Sequence, residues 1–213
     1  MSGRPTRLQA AALRARILSA ALEQFLANGF GAASIEGIAR AAGVNKDTLY
    51  RQFGNKQGLY RASVIGAFQT LRRPSWAAFK PGDDVASTLH AVLRRMHHTM
   101  TTPRALAVMS MTTAQAALFP ELASAARADT KEYLRPLADY LREHRDKGVL
   151  SIDDPEDAAE MLSSNALGGT RFMYEAPLRG RALDEFICRR LSVLLRGWEY
   201  RPTAASRPER SKT

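Results

Sequence analysis

The chain has 213 residues, 45% hydrophobic and 24% charged, the balance of a folded soluble protein long enough for one core, or for a small domain and a larger one. No apolar run approaches the roughly 18 to 20 residues that span a membrane, the N-terminus lacks the apolar core of a secretory signal, and the lone Cys188 excludes an internal disulfide or a Cys-based metal cage and suits a reducing cytoplasm. Net charge is +10, and residues 1–62 hold nine Lys/Arg against three acids, a net +6, which fits either a polyanionic partner or a solvated basic face.

Almost the whole chain reads as helix, with no convincing strand alternation and no internal repeat. Residues 1–8 are expected to be a flexible basic arm. A first helix follows to about Asn28, with Ile17, Ala21, Leu22 and Phe25 at helical spacing and Asn28-Gly29 as its stop. Ser34 is an expected N-cap for a short second helix with Ile35, Ile38 and Ala39 inward, broken at Gly43. Asn45 is expected to cap a third helix ending near Phe53, and Asn55 a fourth running from Lys56 towards Arg73, where Pro74 stops it. Five further helices are expected at about 83–101, 103–117, 119–147, 155–175 and 181–200, with a kink at Pro136. The chain thus divides by expectation into an arm (1–8), a basic unit (9–62), a larger helical domain (63–200) and a polar tail (201–213).

In the stretch AAGVNKDTLYRQFGNKQGLY (Ala41 to Tyr60), Val44, Leu49 and Phe53 join Ile35, Ile38 and Ala39 in one apolar set across two short helices. The third helix keeps an outer face of Lys46, Asp47, Thr48, Tyr50, Arg51 and Gln52. Presented this way, a second helix fits the major groove of duplex DNA. Arg51 and Gln52 have donors suited to guanine and adenine edges, and Lys46, Thr48 and Tyr50 suit phosphate oxygens. Ser34, at the start of the second helix, and Lys56 are further phosphate candidates. The competing reading is a helical hairpin with a solvated polar face.

The segment ILSAALEQFLANGFGAASIEGIARAAGVNKDTLYRQFGNKQGLY resembles the DNA-binding region of tetracycline-repressor-type (TetR family) regulators, through S-I-x-x-I-A-x-x-A-G-V-x-x-x-T-L-Y-x-x-F-x-x-K-x-x-L. The resemblance implies that Ser34, Lys46, Thr48, Tyr50 and Lys56 match positions that commonly contact DNA, and that Gly43, Val44, Leu49 and Phe53 match packing positions. Asp47 departs from the pattern, where relatives often carry a small residue; an acid there repels phosphate, so it accepts from a cytosine amine or caps the helix. Phe119–Ala123, Gly148–Pro155 and the Ala-rich helix after them resemble the AefR-like C-terminal subgroup, which implies a ligand-binding and dimerisation domain.

The residues of that domain support two readings at each point. Leu183, Phe186, Ile187, Leu191, Leu194, Leu195 and Trp198 form a wide helical stripe, and Leu162 and Gly168 lie on the helix before it. They suit a four-helix dimer interface or an intramolecular core. Trp76, Met96, His97, Met100, Met109, Met111, Phe119, Tyr133 and Tyr140 can line an apolar pocket or fill ordinary core. Neighbours on a helix point about 100° apart, so His97 and His98 do not make a metal pair, and a histidine donating a hydrogen bond to a ligand is the better expectation. No nucleophile elbow, phosphate loop, HExxH or dinucleotide fingerprint is present, so no catalytic residue, metal or cofactor is expected. Cys188 beside Arg189 and Arg190 fits an inert thiol or a redox-sensing one.

These features predict an all-α protein of about nine helices, with an N-terminal three-helix helix-turn-helix domain and a C-terminal helical ligand-binding and dimerisation domain. The function expected is a homodimeric, cytoplasmic transcriptional regulator, foremost a repressor, released from a palindromic double-stranded DNA operator by a small apolar or aromatic effector. A non-specific DNA-binding helical protein and a small-molecule enzyme are the alternatives.

Overall fold

The computed structural model describes residues 6–76, 81–82, 84–167 and 175–202. The described residues form nine helices: α1 (Arg7–Ala32), α2 (Ile35–Ala42), α3 (Lys46–Phe53), α4 (Lys56–Trp76), α5 (Val85–Met100), α6 (Pro103–Ala114), α7 (Pro120–Asp146), α8 (Pro155–Leu167) and α9 (Gly180–Gly197). Among the described residues there is no strand. The all-α expectation holds.

The helix ends follow local chemistry. The arm expected over 1–8 gives way to helix at Arg7, because Thr6 closes a capping box: its hydroxyl accepts from Gln9 N and its amide donates to Gln9 Oε1. Within α1 the backbone leaves helical geometry at Gly29, where φ is 70°, as the Asn28-Gly29 pair predicts. Asp84 Oδ2 accepts from Ser87 N at the start of α5, and Asp154 Oδ1 accepts from Glu156 N and Asp157 N at the start of α8. Pro136 lies inside α7, which runs on past it. Helix α8 is described as far as Leu167; Gly168 and the remainder of the helix expected to 175 fall outside the described residues, except Glu175, which lies outside helix.

The helices pack as two compact units. The first holds residues up to Leu71 with Pro103–Arg127; the second holds Arg72–Thr102 and the chain from Ala128 on. The basic unit expected at 9–62 is therefore one contiguous part of a larger packing unit that also takes in α6 and the start of α7.

In the first unit, Ile17, Ala21 and Phe25 of α1, Ile35, Ile38, Ala39 and Ala42 of α2, Leu49 of α3, and Leu59, Tyr60 and Val64 of α4 make one buried cluster with Phe119 and Leu122. Each large apolar side chain buried in it contributes about 1.5–3 kcal/mol. Its centre is aromatic: Tyr60 meets Phe25 edge-on at 5.1 Å and Phe119 at 4.8 Å between ring centroids. Burial pushes the Tyr60 phenol above its ordinary pKa. Two exposed ion pairs, Arg61–Glu121 at 2.7 Å and Arg104–Glu23 at 2.6 Å, run across the same helices.

The second unit buries Leu89, Leu93 and Met96 of α5, Leu134, Leu137 and Leu141 of α7, Ala159 and Leu162 of α8, and Leu183, Phe186, Ile187 and Leu191 of α9. The α7 set recurs at i, i+3 and i+7, the period of an amphipathic helix. Arg179 closes the C-terminal end of α5, donating to Thr101 Oγ1 at 2.9 Å and Thr101 O at 3.2 Å. Arg72 pairs with Asp129 at 2.9 Å and lies over the Tyr133 ring.

Candidate nucleic-acid interface

Helices α2 and α3 are both eight residues long, too short to stand alone in water, so packing and caps must hold them. The Ser34 hydroxyl accepts from Gly37 N at 3.0 Å and caps α2 as expected. At the other end, Gly43 adopts φ 61° and ψ 44°; its N–H donates to Arg40 O, and the Val44 N–H donates to Ala39 O. That pair of bonds is a Schellman turn, and its left-handed residue favours glycine. Leu49 is then buried against Ile38, Ala39 and Ala42, with Val44 and Phe53 partly buried beside it.

Burying Leu49 fixes which side of α3 faces outward. Lys46, Asp47, Tyr50 and Arg51 are exposed, and Thr48 and Gln52 are partly so. Tyr50 keeps 45% of its surface in solvent, unusual for a large aromatic residue with an apolar core one position away. Among the described residues none of Lys46, Tyr50, Arg51 or Gln52 makes a side-chain hydrogen bond or ion pair, so the hydrogen-bonding groups of this face are available. Asn45 occupies the N-cap position of α3, but its side chain makes no capping bond, in contrast to the expectation. The first amides of α3 are capped by no side chain and point in the direction favourable to an anion.

Lys56 behaves differently from the other predicted contacts. Its ammonium donates to Gly31 O at 2.9 Å and lies 4.9 Å from the centroid of the Phe30 ring. One of its three donors is thus used inside the fold. The expected cap at the start of α4 is present, with Asn55 Oδ1 accepting from Gly58 N at 2.8 Å. Arg14 of α1, which is not among the expected contacts, places its guanidinium 4.8 Å over the Phe53 ring at the end of α3.

The residues expected to line a pocket are divided between the two units. Met109, Met111 and Phe119 belong to the first, where Phe119 is buried against Tyr60 and Phe30 and the backbone of Met111 accepts from Tyr60 Oη. Phe119 is therefore core of the first unit: its ring fills the space between aromatic neighbours on α1 and α4. Met96, His97, Met100 and Tyr133 belong to the second unit, with Met96 in its core. The side chain of Trp76 lies outside the described residues. His97 is 3% exposed, and its Nδ1 lies 2.9 Å from Ala166 O on α8. A carbonyl only accepts, so Nδ1 carries a proton there, and among the described residues the buried Nε2 has no hydrogen-bond partner.

The predicted dimer face is also divided. Leu162, Phe186 and Leu191 are buried within the protomer's own core, because α5, α8 and α9 pack on one another. Leu194 and Trp198 are half-buried, while Met161 on α8 and Val193 on α9 stand 41% and 58% exposed. Among the described residues no three His, Cys, Asp or Glu side chains gather as a metal site, no helix is long and apolar enough to cross a membrane, and Cys188 is exposed.

Two family descriptions match this chain. Residues 17–63 match the bacterial regulatory proteins of the tetR family, and residues 87–195, just over half of the 213, match the C-terminal domain of AefR-like transcriptional repressors. Among individual proteins, the chain is 26% identical over 172 residues to YvkB of Bacillus subtilis (strain 168), an uncharacterised HTH-type transcriptional regulator, covering 79% of this chain and 86% of YvkB. The fold is that of a TetR-family regulator from Mesorhizobium loti MAFF303099, with a TM-score of 0.74, 22% identity and coverage of 91% and 98% of the two chains. It is also similar to the flavonoid-responsive regulator FrrA, with a TM-score of 0.70, 28% identity and coverage of 88% and 97%. The chain belongs to the TetR family of bacterial regulatory proteins and carries an AefR-like C-terminal domain: it is a DNA-binding transcriptional regulator, not an enzyme.

Proposed function

We propose that this regulator is a cytoplasmic repressor that binds a palindromic operator as a homodimer and leaves it when a small apolar or aromatic molecule enters the second unit. The observation that carries the DNA half of this reading is the outward face of α3. Leu49 anchors the helix while Lys46, Tyr50, Arg51 and Gln52 face solvent. Arg51 and Gln52 are assigned to base edges, and Lys46, Thr48 and Tyr50 to phosphates, with Ser34 and Lys56 flanking them.

A two-fold dimer suits a palindrome, with half-sites about one helical turn or slightly more apart. The face proposed for it is what α8 and α9 leave outside the protomer core: Met161, Val193 and the half-buried Leu194 and Trp198. The effector half rests on His97, whose buried Nε2 lacks a hydrogen-bond partner among the described residues, an arrangement that costs about 1–3 kcal/mol until a polar group reaches it. The effector that fits carries a hydroxyl on an apolar or aromatic frame. FrrA, a similar protein, is described as flavonoid-responsive, which is consistent with such a compound. Release would be a population shift towards a spacing of the two α3 helices that no longer fits successive major grooves.

The test is release from a selected operator duplex, followed by fluorescence anisotropy, with a polyhydroxylated flavone and its fully O-methylated analogue. The reading predicts that the hydroxylated compound lowers operator affinity and that His97→Phe removes the response. Release by both compounds alike, unaffected by His97→Phe, would contradict the role of His97. Release by neither would contradict an aromatic hydroxylated effector.

A further inference from the structure

Helix α1 begins well before the core it serves. Its first buried residue is Ile17, yet it is helical from Arg7, and residues 6–16 are all exposed apart from the partly buried Leu13. Ten residues of helix extend about 15 Å, little of it repaid by apolar burial, and Leu8 is 83% exposed. The segment carries Arg7, Arg14 and Arg16 and no acid; the first acid in the chain is Glu23, which pairs with Arg104. Arg7 also sits in the first helical turn, where the positive end of the helix dipole disfavours a cation unless an anion is near.

The arginines are not placed at random. Arg7, Arg14 and the fully buried Ala21 are seven residues apart, within about 20° per step of one line along the helix. The stripe of α1 that packs into the helix-turn-helix core thus continues towards the N-terminus as arginine. Arg14 confirms its direction, since its guanidinium lies over the Phe53 ring at the end of α3. Arg7 lies about 10.5 Å further along the same stripe. The capping box of Thr6 and Gln9 holds this extension helical from its first turn.

We propose that the exposed start of α1 is a second DNA-contacting element, in which Arg7 and Arg14 hold phosphates of the duplex beside the groove that α3 enters. The proposal rests on the DNA-binding reading of α3 and extends its footprint. Arg14 is the positioned member: its contact with the Phe53 ring holds the guanidinium near the end of α3, where its N–H groups can reach a phosphate. Arg7 is the outlying one. The contact is electrostatic and sequence-independent, so it strengthens binding without choosing bases.

The experiment measures the dependence of affinity on salt for the full chain, on its selected operator duplex and on a scrambled duplex of equal length. Variants are Arg7→Ala, Arg7→Ala/Arg14→Ala, and the control Arg181→Ala on α9, with helicity checked by circular dichroism. Each phosphate contact contributes about 0.9 to the slope of log K against log salt. Arg7→Ala should reduce the slope by about that amount per protomer, and the double variant by about twice as much, on both duplexes. Between 50 and 200 mM salt this is roughly a three- to fourfold smaller loss of affinity per arginine per protomer. Arg181→Ala should leave it unchanged. Wild-type binding with slopes that Arg7→Ala and the double variant leave unaltered would overturn the proposal while leaving α3 as the reader. Arg7 precedes the first buried residue by ten positions, so a change of slope in that variant does not come from a damaged core. Absence of duplex binding by the wild type would instead remove the reading of α3 and this proposal with it.

Discussion

The ammonium of Lys56, at the start of α4, donates to the carbonyl of Gly31, 25 residues earlier, while lying over the ring of Phe30. A residue that by position reads as a phosphate contact therefore also ties α4 to the turn that ends α1. Lys56→Met keeps the length of the side chain and removes both interactions. It should lower stability by about 1 kcal/mol, measured by urea denaturation, as well as weakening DNA binding. Unchanged stability would mean that the hydrogen bond to Gly31 contributes nothing and that the lysine serves only the DNA.

Among the described residues Lys46 and Tyr50, unlike Lys56, make no such internal attachment. Lys46→Ala should reduce the salt slope of operator binding by about one and leave thermal unfolding where it is. Tyr50→Ala should weaken the operator complex with full retention of helical circular dichroism. A drop in helicity for Tyr50→Ala would place that ring in the core.

Arg51 is assigned to a base edge, so its signature is specificity. Arg51→Ala should cost about 1–3 kcal/mol on the best operator and relax the choice at one base pair of each half-site. Equal losses on operator and scrambled duplex would make it a phosphate contact.

Leu49 tests the support beneath that face. It is 1% exposed at the centre of an eight-residue helix. Leu49→Ala should destabilise the chain by about 2–5 kcal/mol in urea denaturation and abolish operator binding through loss of the α3 orientation. Retained operator affinity would show that α3 is oriented by something other than this side chain.

Asp84 gives a pH signature to the second unit. Burial alone would raise its carboxyl, but hydrogen bonds from Ser87, the Tyr200 hydroxyl and the Ala86 amide outweigh it and hold the pKa below the ordinary value. A carboxyl depressed in the folded state contributes stability above its unfolded pKa, near 4, and loses it as pH falls through the folded value. The urea midpoint of the wild type should therefore fall between pH 5 and pH 3 by more than that of Asp84→Asn. Parallel declines in the two proteins would contradict this account.

The helix-turn-helix was legible because its punctuation is local: Ser34, Gly43 and Asn55 each act within four residues of themselves, and Leu49 and Phe53 mark the buried face by spacing alone. Phe119 was not legible in this way. An aromatic residue between two helices suits a pocket or a core equally, and only packing against Tyr60, 59 residues earlier, assigns it. Leu162, Phe186 and Leu191 illustrate the same limit, since an apolar stripe shows that a face is covered without naming what covers it. The split shows instead in exposure, with those three inside and Met161 and Val193 outside. Asn45 had the chemistry of a cap, but a side-chain rotamer decides whether the bond is made. Arg14 left a faint trace, the seven-residue spacing of Arg7, Arg14 and Ala21, which acquires meaning only once Phe53 is seen beneath the guanidinium.

The measurement closest to the central claim is selection of duplex DNA from a random library by the purified protein at about 0.15 M salt, followed by affinity on the recovered sequence and on a scrambled one. A dimeric, sequence-specific regulator should recover an inverted repeat with half-sites about one helical turn or slightly more apart, bound at least about 10³-fold more tightly than the scrambled duplex. Recovery of no motif, with an affinity equal on all sequences and collapsing uniformly as salt rises, would contradict it and reduce the basic N-terminal unit to a general DNA-binding face.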